Sequence, residues 1–281
     1  VNILPCDQWQ PRVAGFFDLP ESIYRPAPGV SQSTLKTMGR SAAHCRSTFD
    51  QEQKPSKAML MGTALHSILL EPQTWAVGKS HWIRPATYVD SKGEVKPWNG
   101  NSTTCKQWIK DRAALPIYTA DEVIELGGMV QALREHYQAG PALESGHSEV
   151  AAFAQDEETG MWIKARIDKA LPERGAIVDV KKVQDARDFP RKAYDMGYHI
   201  QAASNLHICE LLGVKFDRFI FITVEESAPH GIILYEADEE FIQRGKSEWR
   251  KYLNEYAECV STDKWPSYPA SIQNLSLPKW V

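Results

Sequence analysis

Two aspartates and a lysine stand close together in the stretch RIDKALPERGAIVDVKKV. Asp168 ends one run of alternating apolar residues, and Asp179 lies in the next, eleven residues later, across the turn PERG. Lys181 follows Asp179 by two, so in an extended chain both side chains leave the same face. Two carboxylates brought together repel unless a divalent cation sits between them, and hard oxygen donors suit Mg²⁺ or Mn²⁺. A neighbouring ammonium can hold or deprotonate a water, or neutralise charge developing on a phosphate. These residues therefore permit metal-assisted phosphodiester hydrolysis. The spacing also permits blander chemistry. D-x-K is ordinary in a strand, and Asp168 beside Lys169 equally describes a surface ion pair. His66, four residues after Gly62 in an apolar run, reads equally as a hydrogen-bonded core histidine. Glu149 opens a strand, and spacing leaves open whether it faces water or the site.

The elements that must position these residues follow from periodicity. KAMLMGTALHSILLEP predicts a buried helix ending before Pro72, with Gly62 and His66 on one face. Ser31 stands at an N-cap position before the Leu35/Met38 spacing, and residues 1–30 read as irregular. Residues 72–119 are loop-rich, and 120–138 return to helical spacing. EVAAFAQ, MWIKARIDKAL and AIVDVKKV then read as three strands joined by two turns. A helix is expected over 185–213, followed by strands in FDRFIFITVEE and HGIILYEAD and a long amphipathic helix from Glu239 to Cys259. A strand–helix–strand crossover from AIVDV to FIFIT predicts a right-handed parallel pair in a mixed α/β layer.

The composition fits a globular chain: 281 residues, 43% hydrophobic and 24% charged. There is no run of 18 apolar residues and no signal-peptide pattern at the start, and the five cysteines are scattered. The expected compartment is therefore a reducing cytoplasm, with free thiols and no membrane. The net charge of −4 is unevenly spread. Residues 161–192 carry nine basic against five acidic side chains, and 78–119 seven against three, whereas 225–263 carry ten acidic against four basic. A chain acidic overall can still present a basic groove to a polyanion.

GTALH (62–66), RIDKA (166–170), VDVKK (178–182) and YHIQAA (198–203) together resemble the ordered motifs of PD-(D/E)XK nucleases. More narrowly they resemble the RecE-type exonuclease (exodeoxyribonuclease VIII), a relative of lambda exonuclease and the RecB-like nucleases. PGVSQSTLKTM, GTALHSILLEP and LSLPKWV are similar to the RecE nuclease domain in the same order, so the likeness runs from about Tyr24 to Trp280. It implies an α/β fold with a PD-(D/E)XK restriction-endonuclease-like core, its mixed central sheet flanked by helices. Residues 1–23 would be an N-terminal extension to one domain, 24–281. That domain would hold a helical, loop-rich part (24–145), a catalytic sheet core (146–260) and a C-terminal tail (261–281).

The same resemblance implies roles for single residues. His66, Asp168, Asp179 and the Val180 carbonyl would ligate Mg²⁺, with Mn²⁺ substituting, and Lys181 would be the catalytic lysine. Gln201 matches the glutamine of a Q-x-x-x-Y motif whose tyrosine position is Asn205 here, and Glu149 matches an upstream acidic residue. Lys164, Arg166, Lys182 and Tyr198 are expected DNA contacts, as are Lys and Arg side chains of 79–112. Trp82 and Trp98 are eligible as strand-parting wedges or as packing residues. No iron–sulfur cluster is expected. The implied activity is 5′→3′ digestion of linear double-stranded DNA, leaving 3′ overhangs for a RecT-type annealing protein in phage or prophage recombination in a bacterial cytoplasm. The implied assembly is a homo-oligomeric ring, a tetramer. A PD-(D/E)XK endonuclease and a non-catalytic DNA-end-binding protein are the alternatives.

Overall fold

The computed structural model describes residues 1–49 and 54–277; the end of the LSLPKWV match, residues 278–281, lies outside them. The main elements are α1 (Gln32–Met38), α2 (Lys57–Leu70), α3 (Ala120–Glu135), β1 (His147–Gln155), β2 (Trp162–Leu171), β3 (Ala176–Val183), α4 (Phe189–Asp195), α5 (Tyr198–Leu211), β4 (Arg218–Glu225), β5 (Ile232–Glu236) and α6 (Glu239–Thr262). The described sheet has eight strands. Its order is Ile3–Leu4, Gly15–Phe17, β1, β2, β3, β4, β5, with Val30–Ser31 pairing a further part of β2. β1, β2 and β3 form the expected antiparallel meander. β3 and β4 pair in parallel with Asp179 opposite Phe221, as the crossover requires. The class is mixed α/β.

The sheet is covered on both faces, so its central strands are apolar on both sides. One core joins Val150, Ala152 and Ile167 to Ile200 and Ile208 of α5 and Trp249 and Leu253 of α6. The other joins Val178, Val180 and Ile222 to Leu65 of α2 and Leu126, Met129 and Leu133 of α3. α3 starts with a capping box in which Thr119 and Glu122 satisfy each other's backbone N–H. Helices α5 and α6 touch at Gly245, where a Cβ would lie 2.0 Å from the His199 carbonyl oxygen, so only glycine permits that approach.

Three expectations are corrected. Residues 1–30 are not wholly irregular: Ile3–Leu4 and Gly15–Phe17 extend the sheet, and Phe16, Phe17 and Leu19 are buried. Their burial outweighs the local glycine and proline content. The helix expected over 120–138 ends at Glu135, and a separate short helix follows at Ala139–Glu144. The helix expected over 185–213 is broken between α4 and α5, because Gly197 takes a left-handed φ of 66°.

The break in strand pairing matters most for the site. β2 and β3 pair only where Lys169–Leu171 meets Ala176–Val178. Farther along, the same edge of β2 is taken by Val30–Ser31 at Ile163 and Lys164. The two strands therefore splay beyond Asp168 and Asp179, and a cleft opens between them.

Candidate active site

The cleft has a volume of about 530 Å³, and Gly62, His66, Glu149, Arg166, Asp168 and Gln201 are among its lining residues. Strand register delivers its carboxylates. In the β1–β2 ladder Ser148 faces Lys169 and Val150 faces Ile167, so Glu149 stands across from Asp168. Continuing the β2–β3 ladder one step past Val178 and Lys169 sets Asp168 across from Asp179. Three acidic residues thus occupy one row over three neighbouring strands, where cross-strand Cβ atoms lie roughly 5 Å apart.

Glu149 sits there at a backbone cost. Its φ is 51°, left-handed for a non-glycine residue inside a strand. Such a conformation costs roughly 1–3 kcal/mol and persists where its surroundings impose it. Arg166 does so: its Nε donates to Glu149, its Nη1 donates to the Leu19 carbonyl at 3.0 Å, and its Nη2 donates to Glu71 at 3.1 Å. Burial would raise the Glu149 carboxyl, but His66 and Arg166 outweigh it and hold the group below the usual range.

His66 enters from α2. Its Nε2–H donates to the Val180 carbonyl at 2.9 Å, and its Nδ1 lies 3.5 Å from Asp168 and 3.7 Å from Glu149. A histidine ligand typically donates its second ring N–H to a carbonyl in this way, which aims the other nitrogen at the ion. Ligand atoms of His66, Glu149 and Asp168 all lie within 4.8 Å of one another, a donor set that fits a small hard divalent cation. Burial alone would lower the imidazole pKa, yet Asp168 and Glu149 raise it to about 9, so the ring carries the positive charge that an ion would otherwise bring.

Asp168 accepts from the Val180 N–H at 3.0 Å. Burial pushes its carboxyl to about 7, with His66 opposing and the charges of Asp179 and Glu149 adding. Asp179 is buried. Gln201 donates to its Oδ1, and Lys181 Nζ lies 2.5 Å from its Oδ2. Burial opposes the ammonium of Lys181, but Asp179 and Asp168 prevail and raise its pKa. An amine held charged this firmly is not a base at neutral pH.

Most residues expected at the site therefore converge, and they fall into two groups. Glu149 stands in the cluster with His66 and Asp168, whereas Asp179 is engaged by Gln201 and Lys181, and the Val180 carbonyl already accepts from His66. The surface ion-pair alternative fails, because Lys169 is buried and donates to Ser148 at 3.0 Å. Asn205 lines the same cleft as Gln201.

The expected DNA contacts have internal partners. Lys164 is buried and donates to the Tyr24, Arg25 and Ala27 carbonyls, Arg166 serves the carboxylates, and Lys182 pairs with Glu226. The Tyr198 ring lies 4.7 Å from Lys181 Nζ. Trp82 and Trp98 are taken up in packing: Arg112 stacks on Trp82 and Trp108, Arg84 stacks on Trp98, and Trp98 meets Trp108 edge-on. Sequence reasoning missed Glu71, held by Arg166, and Lys36, 5.0 Å from the Tyr198 ring centroid. Both lie in stretches already matched for their flanks, GTALHSILLEP and PGVSQSTLKTM, but no spacing singled them out.

A family model described as a PDDEXK-like domain of unknown function (DUF3799) matches residues 31–277. No curated protein matches the sequence. A protein from Eubacterium rectale, provisionally called an exonuclease, has a similar structure. The TM-score is 0.58 at 16% identity, over 90% of this chain and 96% of that one, which is a likeness of fold. A phage-related exonuclease from Haemophilus somnus 129PT aligns at 15% identity over 86% of this chain and 99% of its own, with a TM-score of 0.30, too low to bear on the fold. No described helix is long and apolar enough to cross a membrane.

Proposed function

From the premise that the chain belongs to the PDDEXK-like family of unknown function, we propose that it is a Mg²⁺-dependent deoxyribonuclease. More narrowly, it is a 5′→3′ exonuclease on linear double-stranded DNA, of the RecE type. The observation that carries this reading is the row Glu149, Asp168, Asp179, with His66 against two of its members and Lys181 against the third. A row of three carboxylates is costly in a fold with no use for a cation.

His66, Glu149 and Asp168 would hold the ion, with Asp179 beside them. Bound there, Mg²⁺ or Mn²⁺ would supply Lewis-acid charge at the phosphoryl oxygen and at the attacking water. Lys181 sets its ammonium beside the carboxylates and offsets charge developing on the phosphate. Gln201 fixes Asp179, and Arg166 fixes Glu149. Lys79, Lys92, Lys106 and Lys110, which are exposed, would make sequence-blind phosphate contacts. The reading extends to 3′ overhangs passed to a RecT-type annealing protein, and to a tetrameric ring whose channel would gather the basic segments of a chain with net charge −4.

The test is digestion of an end-labelled linear duplex with Mg²⁺, alongside EDTA and closed-circle controls. The reading expects labelled 5′ ends to be released, EDTA to stop the reaction and closed circles to survive. Cut circles would favour an endonuclease on the same fold. Binding without cleavage in both Mg²⁺ and Mn²⁺ would favour a DNA-end-binding protein.

A further inference from the structure

Lys36, on α1, shares the ring of Tyr198 with Lys181. Its Nζ lies 5.0 Å from the Tyr198 ring centroid, and Lys181 Nζ lies 4.7 Å from the same centroid. One ring thus serves two cations. Among the described residues Lys181 has Asp179 as its anion, whereas Lys36 has no hydrogen bond and no ion pair. The position is built. The lysine stem runs past Gly197, where a Cβ would lie 3.2 Å from Lys36 Cε, so the left-handed break between α4 and α5 makes room for it. The preceding turn of α1 contributes Ser33 and Thr34 to the cleft lining. Burial, then the charge of Lys181, brings the Lys36 amine down to about 8, with Asp179 opposing. It is charged at neutral pH but pressed by a like charge, and an anion would relieve that pressure.

We infer that Lys36 is a phosphate-binding residue of the site, taking a phosphodiester of the DNA strand next to the bond that Lys181 serves, with Tyr198 as the spacer between the two ammoniums. This rests on the nuclease reading. A partly buried amine with no ion pair among the described residues, set against a ring shared with the lysine of the site, has a clear partner in a polyanion threaded through the cleft. Packing alone would be served as well by methionine, which keeps most of the stem and drops the charge.

The experiment compares wild type, Lys36→Met and Lys36→Arg in steady-state digestion of linear duplex with Mg²⁺, and in DNA binding with Ca²⁺ over a range of salt. The expected result for Lys36→Met is KM or Kd raised roughly 10- to 100-fold, the range of a charge-assisted hydrogen bond. The log–log salt slope should fall by about one. Lys36→Arg should restore the slope. Circular dichroism and thermal melting check that each variant is folded. If wild type cuts DNA and folded Lys36→Met keeps its KM and salt slope, this inference falls alone. If Lys36→Met does not fold, a Lys36→Arg variant with a slope unlike that of wild type overturns it. If wild type neither binds nor cuts linear duplex, the nuclease reading falls and takes this with it.

Discussion

Replacing Asp168 with asparagine removes a charge and keeps a shape. The amide oxygen can still accept from the Val180 N–H, at 3.0 Å in the native site. What disappears is a carboxylate that burial and its neighbours hold at about 7, against roughly 3.9 for an unperturbed aspartate. A carboxyl raised in the folded state works against stability. Between those two values the unfolded chain has released its proton and the native chain has not, so stability falls as pH rises. By proton linkage the full cost above pH 7 is roughly 4 kcal/mol. The attraction of His66 for this carboxylate is already contained in that value, so its loss takes nothing further from the gain. Without metal, Asp168→Asn is thus expected to be more stable than wild type by up to about 4 kcal/mol at pH 8, which raises the melting midpoint by up to about 7 °C in a chain of this size. The gain should vanish near pH 4, where the native carboxyl is protonated. The same change removes a ligand, so the variant should be inactive and Mn²⁺ should raise its midpoint far less than that of wild type. The assay is thermal melting at pH 4, 6 and 8, in EDTA and in Mn²⁺. A variant less stable than wild type in EDTA at pH 8, or one that Mn²⁺ stabilises equally, would refute the reasoning.

Other substitutions probe other parts of the site. Asp179→Asn should abolish digestion with the fold intact by circular dichroism; full activity in a clean preparation would count decisively against the assignment. Lys181→Ala should lose at least a hundredfold in rate while still binding Mn²⁺ by calorimetry, since the amine is not a ligand. Metal affinity should climb as pH rises from 6 to 9, because His66 and Asp168 titrate at about 9 and about 7 and must shed protons to bind the ion; a pH-independent Mn²⁺ affinity over that range would argue against His66 as a ligand. Arg166→Met leaves Glu149 and Glu71 without their shared cation, and should cost about 3–5 kcal/mol in denaturant melts.

Much of this protein was legible from local signals. Alternating apolar residues marked β1, β2 and β3, and the two-residue step from Asp179 to Lys181 put both on one face, where they form an ion pair. The sequence could also nominate His66 and Glu149, but period and spacing describe a chain one segment at a time. Whether Glu149 faced water or the site depended on a left-handed residue across from Asp168, imposed by an arginine on the next strand. The contributions of residues 1–30 to the sheet, the break at Gly197 and the place of Lys36 beside Tyr198 are likewise long-range matters. So is the parting of β2 from β3, which opens the cleft because a distant segment, Val30–Ser31, takes the strand edge. Residue type and periodicity determined which groups were available and which elements carried them. Only packing decided which of those groups meet, because a carboxylate's partners, and with them its charge, are set by side chains remote in sequence and close in space.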